Sequence, residues 1–234
     1  MIRSFAFTGL VALAALAPTL AKADEDHAGD IAVSAVGGKL VAASEHYAVH
    51  GATGFKIFEG DFGDFSNGPY VTKSPGFQTQ GGATLQPLSL LSFSGIGALS
   101  YWNGSAWGSS PTGVNVSVKD VMDELTTWGA DGVTAGASSY IDQVSTSGTL
   151  HSHLTMAVTP AAAAGAYMVQ MRLESDAYAS SDPFYLVFNR GLSGAAFEAS
   201  VDALAAPVPE PSAYALMLAG LVAVTALARR RKHG

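Results

Sequence analysis

Apolar and polar residues alternate in short runs through the middle of the chain, and glycine and serine break them at roughly ten-residue intervals. A period of two marks strands that bury one face. Ile31–Val36 and Lys39–Ala43 flank Gly37-Gly38, which predicts a hairpin closed by a two-residue glycine turn. Leu99–Trp102 and Ser105–Trp107 repeat the device around Asn103-Gly104, a pair suited to a type I′ turn. Further strands are expected at Gly54–Phe58, Leu88–Phe93, Val114–Val118 and Ser139–Val144. Leu150–Val158, Ala166–Glu174 and Pro183–Asn189 have the clearest strand character. Only Asp120–Trp128 has helical spacing, with Val121, Leu125 and Trp128 on one side. The pattern predicts an all-β domain, a single antiparallel β-sandwich of jelly-roll or Ig-like type.

Both ends of the chain break this pattern. Arg3, the apolar run Phe5–Ala17, the helix-ending Pro18 and the small residues Ala21 and Ala23 before Asp24 read as a signal peptide over residues 1–23, cleaved by signal peptidase. The chain contains no cysteine, which excludes a lipoprotein anchor, disulfides, thiol nucleophiles and thiolate metal sites. At the other end, Pro209, Glu210 and Pro211 lie in an extended linker, residues 207–212, because the prolines lack donors and fix φ. Residues 213–228 carry no charge and consist largely of helix formers. The run is short for a membrane span, which usually takes about 20 residues, and snorkelling ends would complete it. Arg229, Arg230, Arg231 and Lys232 supply those ends and place the tail, residues 229–234, in the cytoplasm. Residues 24–206 remain as one domain, held at first with its N-terminus outside.

A Pro-Glu-Pro triplet, one apolar helix and a basic stop, in that order, resemble the PEP-CTERM sorting signal of exported bacterial proteins. The resemblance implies that an exosortase in the inner membrane recognises the tail, removes the helix and passes the protein to the cell envelope or extracellular matrix.

The chain holds 12 Lys and Arg against 19 Asp and Glu, and half of the basic residues belong to the two ends. Residues 24–206 keep 18 acidic side chains and only 6 basic ones. Such a surface argues against nucleic acid and anionic lipid as partners and admits cations.

One strand candidate carries chemistry. Along Leu150–Val158, alternation places Leu150, Leu154, Met156 and Val158 on the core face and His151 and His153 on the other. Two imidazoles at i and i+2 can converge on one metal ion, zinc being the leading candidate. Two ligands do not complete a site, and the pool for the rest is His27, Asp30, His46, His50, Asp176 and Asp182.

Gly148-Thr149-Leu150-His151-Ser152-His153, then Gly165-Ala166-Tyr167 and Ser181-Asp182-Pro183-Phe184-Tyr185, resemble the last three strands of a surface-anchored family. His27-Ala28-Gly29-Asp30-Ile31 approximates that family's opening motif. Its members accompany zinc or manganese transporters, and a PEP-CTERM branch is repressed by the zinc regulator. The resemblance implies His151, His153, His27 and Asp30 as metal ligands.

Other features have competing readings. Glu59–Asp64 reads as an acidic turn or a calcium cradle without regular ligand spacing. Tyr101, Trp102 and Trp107 read as hairpin packing or as a sugar-stacking platform. No nucleophile elbow, metalloprotease helix, phosphate loop or dinucleotide fingerprint occurs, so no enzyme is expected. The leading expectation is a non-catalytic surface protein that binds a divalent metal. The alternative is a structural or adhesive matrix component that binds exopolysaccharide, with the histidines incidental.

Overall fold

A computed structural model describes residues 29–43, 56–64, 68–79 and 82–205. In chain order the strands are β1 (Ile31–Val36), β2 (Lys39–Ala43), β3 (Ile57–Asp61), β4 (Val71–Thr72), β5 (Phe77–Gln78), β6 (Leu90–Trp102) and β7 (Trp107–Ser109). They continue as β8 (Val116–Lys119), β9 (Leu125–Gly129), β10 (Gly132–Thr134), β11 (Tyr140–Gln143), β12 (His151–Ser152), β13 (Thr155–Val158), β14 (Gly165–Ser175) and β15 (Phe184–Arg190). A helix, α1 (Gly194–Ala205), closes the described chain.

The strands form three sheets, ordered β12-β5-β1-β2, β10-β9-β8-β13-β4 and β11-β6-β14-β15-β3, with β7 added beside β6. Most pairings are antiparallel, but β1 with β5 and β3 with β15 run parallel. One apolar cluster joins all three sheets. Ile31, Val33 and Leu40 enter it from the first, Val116, Trp128 and Met156 from the second, and Phe93, Leu173 and Phe184 from the third. Strand β15 is buried on both faces over most of its length, and β14 at its Ala166 end, because α1 covers the side turned away from this cluster.

The Gly37-Gly38 hairpin forms as expected. Val36 pairs with Lys39, and the turn glycines take φ of 59° and 79°, which only glycine adopts freely. The Asn103-Gly104 hairpin forms with a different loop. Trp102 pairs with Trp107, so four residues turn the chain instead of two. The Asn103 carboxamide oxygen accepts from the N–H groups of Ser105 and Ala106, an alternative to the I′ turn that keeps only Gly104 at positive φ.

The helix expected over Asp120–Trp128 is a turn followed by β9. The Asp120 carboxylate accepts the N–H groups of Met122 at 2.8 Å and Glu124 at 2.9 Å, a local alternative to helical bonding. Val121 and Leu125 are each half exposed, so their spacing buries nothing, whereas Trp128 reaches the core from a strand. The helix that does form, α1, lay in an Ala-rich stretch with no strand period. Ser193 begins it, accepting the N–H of Phe197 on its carbonyl, and Phe197 and Val201 seal it against Trp102, Ala166 and Val187.

Leu150–Val158 is not one strand. It breaks at His153-Leu154, and its halves join different sheets: β12 pairs with β5, and β13 with β8 and β4. The expected faces survive the break, since Leu150, Leu154, Met156 and Val158 are all buried.

The expected signal peptide, the apolar segment 213–228, and His27, His46 and His50 lie outside the described residues. Among the described residues no helix is long and apolar enough to cross a membrane.

Candidate metal centre

Sheet register assembles the site. Strand β5 lies between β1 and β12, with Ile31 beside Phe77 and Phe77 beside Ser152. Strand β1 runs parallel to β5 and β12 runs antiparallel to it. The residue before Ile31, the residue before Phe77 and the residue after Ser152 therefore meet at one end of the sheet. These are Asp30, Gly76 and His153. His151, two residues earlier than His153 on the same face, completes the group.

The three donor side chains converge. His151 Nε2 and His153 Nε2 are 3.0 Å apart, and each lies 3.6 Å from Asp30 Oδ2. Asp30 forms the floor at 2 % exposure, while the His151 and His153 side chains remain 35 % and 24 % exposed. Among the described residues these three form a group of His and acidic side chains able to hold a metal ion.

The surrounding bonds set the direction of each donor. Gly76 N–H donates to Asp30 Oδ1 at 2.7 Å, which turns Oδ2 toward the imidazoles. Oδ2 is buried and has no hydrogen-bond partner. His153 Nδ1 lies 2.9 Å from the Lys73 carbonyl. A carbonyl only accepts, so Nδ1 carries the proton and Nε2 presents its lone pair to the site. Such a carbonyl–imidazole pair is the usual support of a metal-bound histidine.

A tetrahedral zinc ion about 2.0–2.1 Å from its ligands holds them ~3.4 Å apart. The observed triangle of 3.0, 3.6 and 3.6 Å brackets that spacing, so one ion fits equidistant from all three atoms. Two neutral imidazoles and a carboxylate are also a donor set that zinc accepts. The buried oxygen is the strongest sign, because a buried carboxylate oxygen without a partner is costly until a cation or donor meets it.

The other expected ligands are placed elsewhere. Asp176 accepts the Leu90 N–H at 2.9 Å. Asp182 pairs with Lys39 at 2.6 Å, and that hydrogen bond and charge hold its carboxyl below the usual range. The aromatic hairpin packs inward. Trp102 and Trp107 pack at a tilt against each other and against α1, Trp107 Nε1 donates to the Ser200 carbonyl, and Tyr101 lies against Tyr167. In the acidic turn, burial raises the Asp61 pKa and Asp64 adds to it, while a hydrogen bond from Asn189 works the other way. Gly76 and Lys73 were not expected in the site. Lys73-Ser74-Pro75-Gly76 reads only as a turn, and a carbonyl or a missing Cβ leaves no mark in a sequence.

Residues 207–232 match the PEP-CTERM protein-sorting motif. The motif marks an exported protein processed by exosortase and delivered to the cell surface or envelope. No curated protein and no solved structure matches the chain.

Proposed function

We propose that this protein is a non-catalytic surface protein that binds a divalent metal ion, zinc first among the candidates, through Asp30, His151 and His153. One observation carries the proposal: the buried, partnerless Asp30 Oδ2 stands 3.6 Å from both imidazole Nε2 atoms. Asp30 supplies a third ligand beside the two imidazoles, and a water or external oxygen takes the remaining position. The carrier is a β-sandwich in which the six-stranded sheet faces the other two, a reading supported by the single core they share. Sorting and metal binding are separate duties, one in the tail and one at the sheet edge.

Calorimetric titration of the purified protein with zinc tests the proposal. We expect one ion per chain, no heat from His151→Ala or His153→Ala, and a melting temperature that rises with zinc by mass action on the folded state. Absence of both heat and melting shift at millimolar zinc would leave a structural matrix component as the better reading.

A further inference from the structure

The metal site opens onto a second feature. A cleft of about 400 Å³ begins at His151 and is lined by Gln78, Thr79, Asp142, Ser145 and Thr149. Beside the His151 imidazole its polar groups are hydroxyls, carboxamides and one carboxylate, with no Lys or Arg and no Phe, Tyr or Trp among the lining residues. Such a lining offers donors and acceptors in mixture and, away from the metal site, gives an anion no counter-charge. At the inner end, Gln78 stands directly across from His151 in the β5–β12 pair, so both side chains leave the sheet on one face. Gln78 is 5 % exposed, and its Nε2 is buried without a hydrogen-bond partner. A buried amide donor left unpaired is costly, so a group that accepts from it gains from a deficit already present. At the outer end, Ser145 and Thr149 hydroxyls hold each other at 2.9 Å and are exposed.

From these observations we infer that the cleft binds a neutral saccharide in a metal-dependent way. The inference rests on the metal reading above. A sugar hydroxyl occupies the ion's fourth position in place of water, a neighbouring ring or hydroxyl oxygen accepts from Gln78 Nε2, and the Asp142 carboxylate accepts from a further hydroxyl. No covalent bond forms or breaks. A polyol supplies donors and acceptors at this density, whereas beyond the ion an anionic sugar would meet Asp142 and the acidic surface of the domain.

The test uses the full chain in detergent micelles, with zinc affinity measured first by calorimetry. Saturation-transfer magnetic resonance then follows lactose, maltose and cellobiose, each at millimolar concentration. We expect transfer to at least one disaccharide from the zinc-loaded protein and its loss with EDTA. Gln78→Leu and Asp142→Ala should each weaken sugar binding about tenfold, the worth of one hydrogen bond, while zinc affinity stays as in the parent. Zinc binding without transfer to any of the three sugars would overturn the sugar inference and leave the metal site standing. Transfer that persists in EDTA would also overturn it. Failure of zinc itself to bind would remove the metal reading and this inference with it.

Discussion

The imidazole of His153 lies directly on the backbone of Gly76. A Cβ added to Gly76 would come within 2.5 Å of Cε1 and 2.7 Å of Nδ1. Gly76 cannot retreat, since its carbonyl accepts from Ile31 at 2.9 Å and its N–H donates to Asp30. The ring must move instead, which breaks its bond to the Lys73 carbonyl and draws Nε2 out of the triangle. We expect Gly76→Ala to fold with a stability loss of about 1 kcal/mol and to lose roughly 10–100-fold in zinc affinity. Calorimetry beside thermal melting checks it, and an unchanged zinc affinity would show that His153 is not a ligand.

Asp30→Asn should separate stability from binding. The asparagine oxygen still accepts from Gly76, and its amide can donate toward the imidazoles where the carboxylate oxygen finds no donor. The metal-free variant should therefore melt no lower than the parent and somewhat higher in its best case. Zinc affinity should fall by at least roughly 100-fold, because the only anionic donor of the set is gone. A variant that melts lower and binds zinc normally would place Asp30 in the structure alone.

Asp120 governs acid stability at the turn that follows β8, close in the sheet register to Leu154. Burial raises its pKa, but the Ser138 hydroxyl and the N–H groups of Glu124, Met122 and Tyr140 outweigh that and hold the carboxyl below its ordinary value. A folded-state pKa below the unfolded one adds stability above the unfolded pKa, and the gain is lost as pH falls through the folded value. Asp120→Ala should cost about 2–3 kcal/mol at neutral pH, and the gap from the parent should narrow below about pH 4. Urea unfolding of both proteins at neutral and acid pH measures it. A gap that does not change with pH would show that the loss comes from packing.

Sorting depends on the tail. Replacing Glu210 with Ala, or removing Arg229–Lys232, should leave a membrane-held precursor, because the first alters the extended recognition segment and the second removes the basic stop. Mass spectrometry of the released protein distinguishes the outcomes. Normal release of both variants would mean that the motif does not direct processing.

Much of the fold was legible where the physics is local. The β1–β2 hairpin follows from a glycine pair that admits positive φ at both positions, and the buried faces of β13 and β14 follow from period-two alternation. Local rules misled where a side chain competed with the backbone. Asp120 and Asn103 each capture two N–H groups within the next four residues and redirect the chain, and no apolar period records that choice. The helix α1 escaped notice because its apolar face is narrow and meets a sheet face that only the folded domain presents.

The sequence by itself determined the sorting tail, the absence of thiol chemistry and the strand character of the domain. It also set the pairing of His151 with His153 on one face. Each depends on composition or on residues a few positions apart, which chain geometry relates directly. Only the tertiary structure decided that β5 would lie between β1 and β12, parallel to one and antiparallel to the other. That register brings Asp30, Gly76 and His153 to one edge, aims Oδ2 at two imidazoles and opens the polar cleft beside them. Strand order is settled by the burial of the whole core, a sum over distant residues, so no local stretch of sequence contains it.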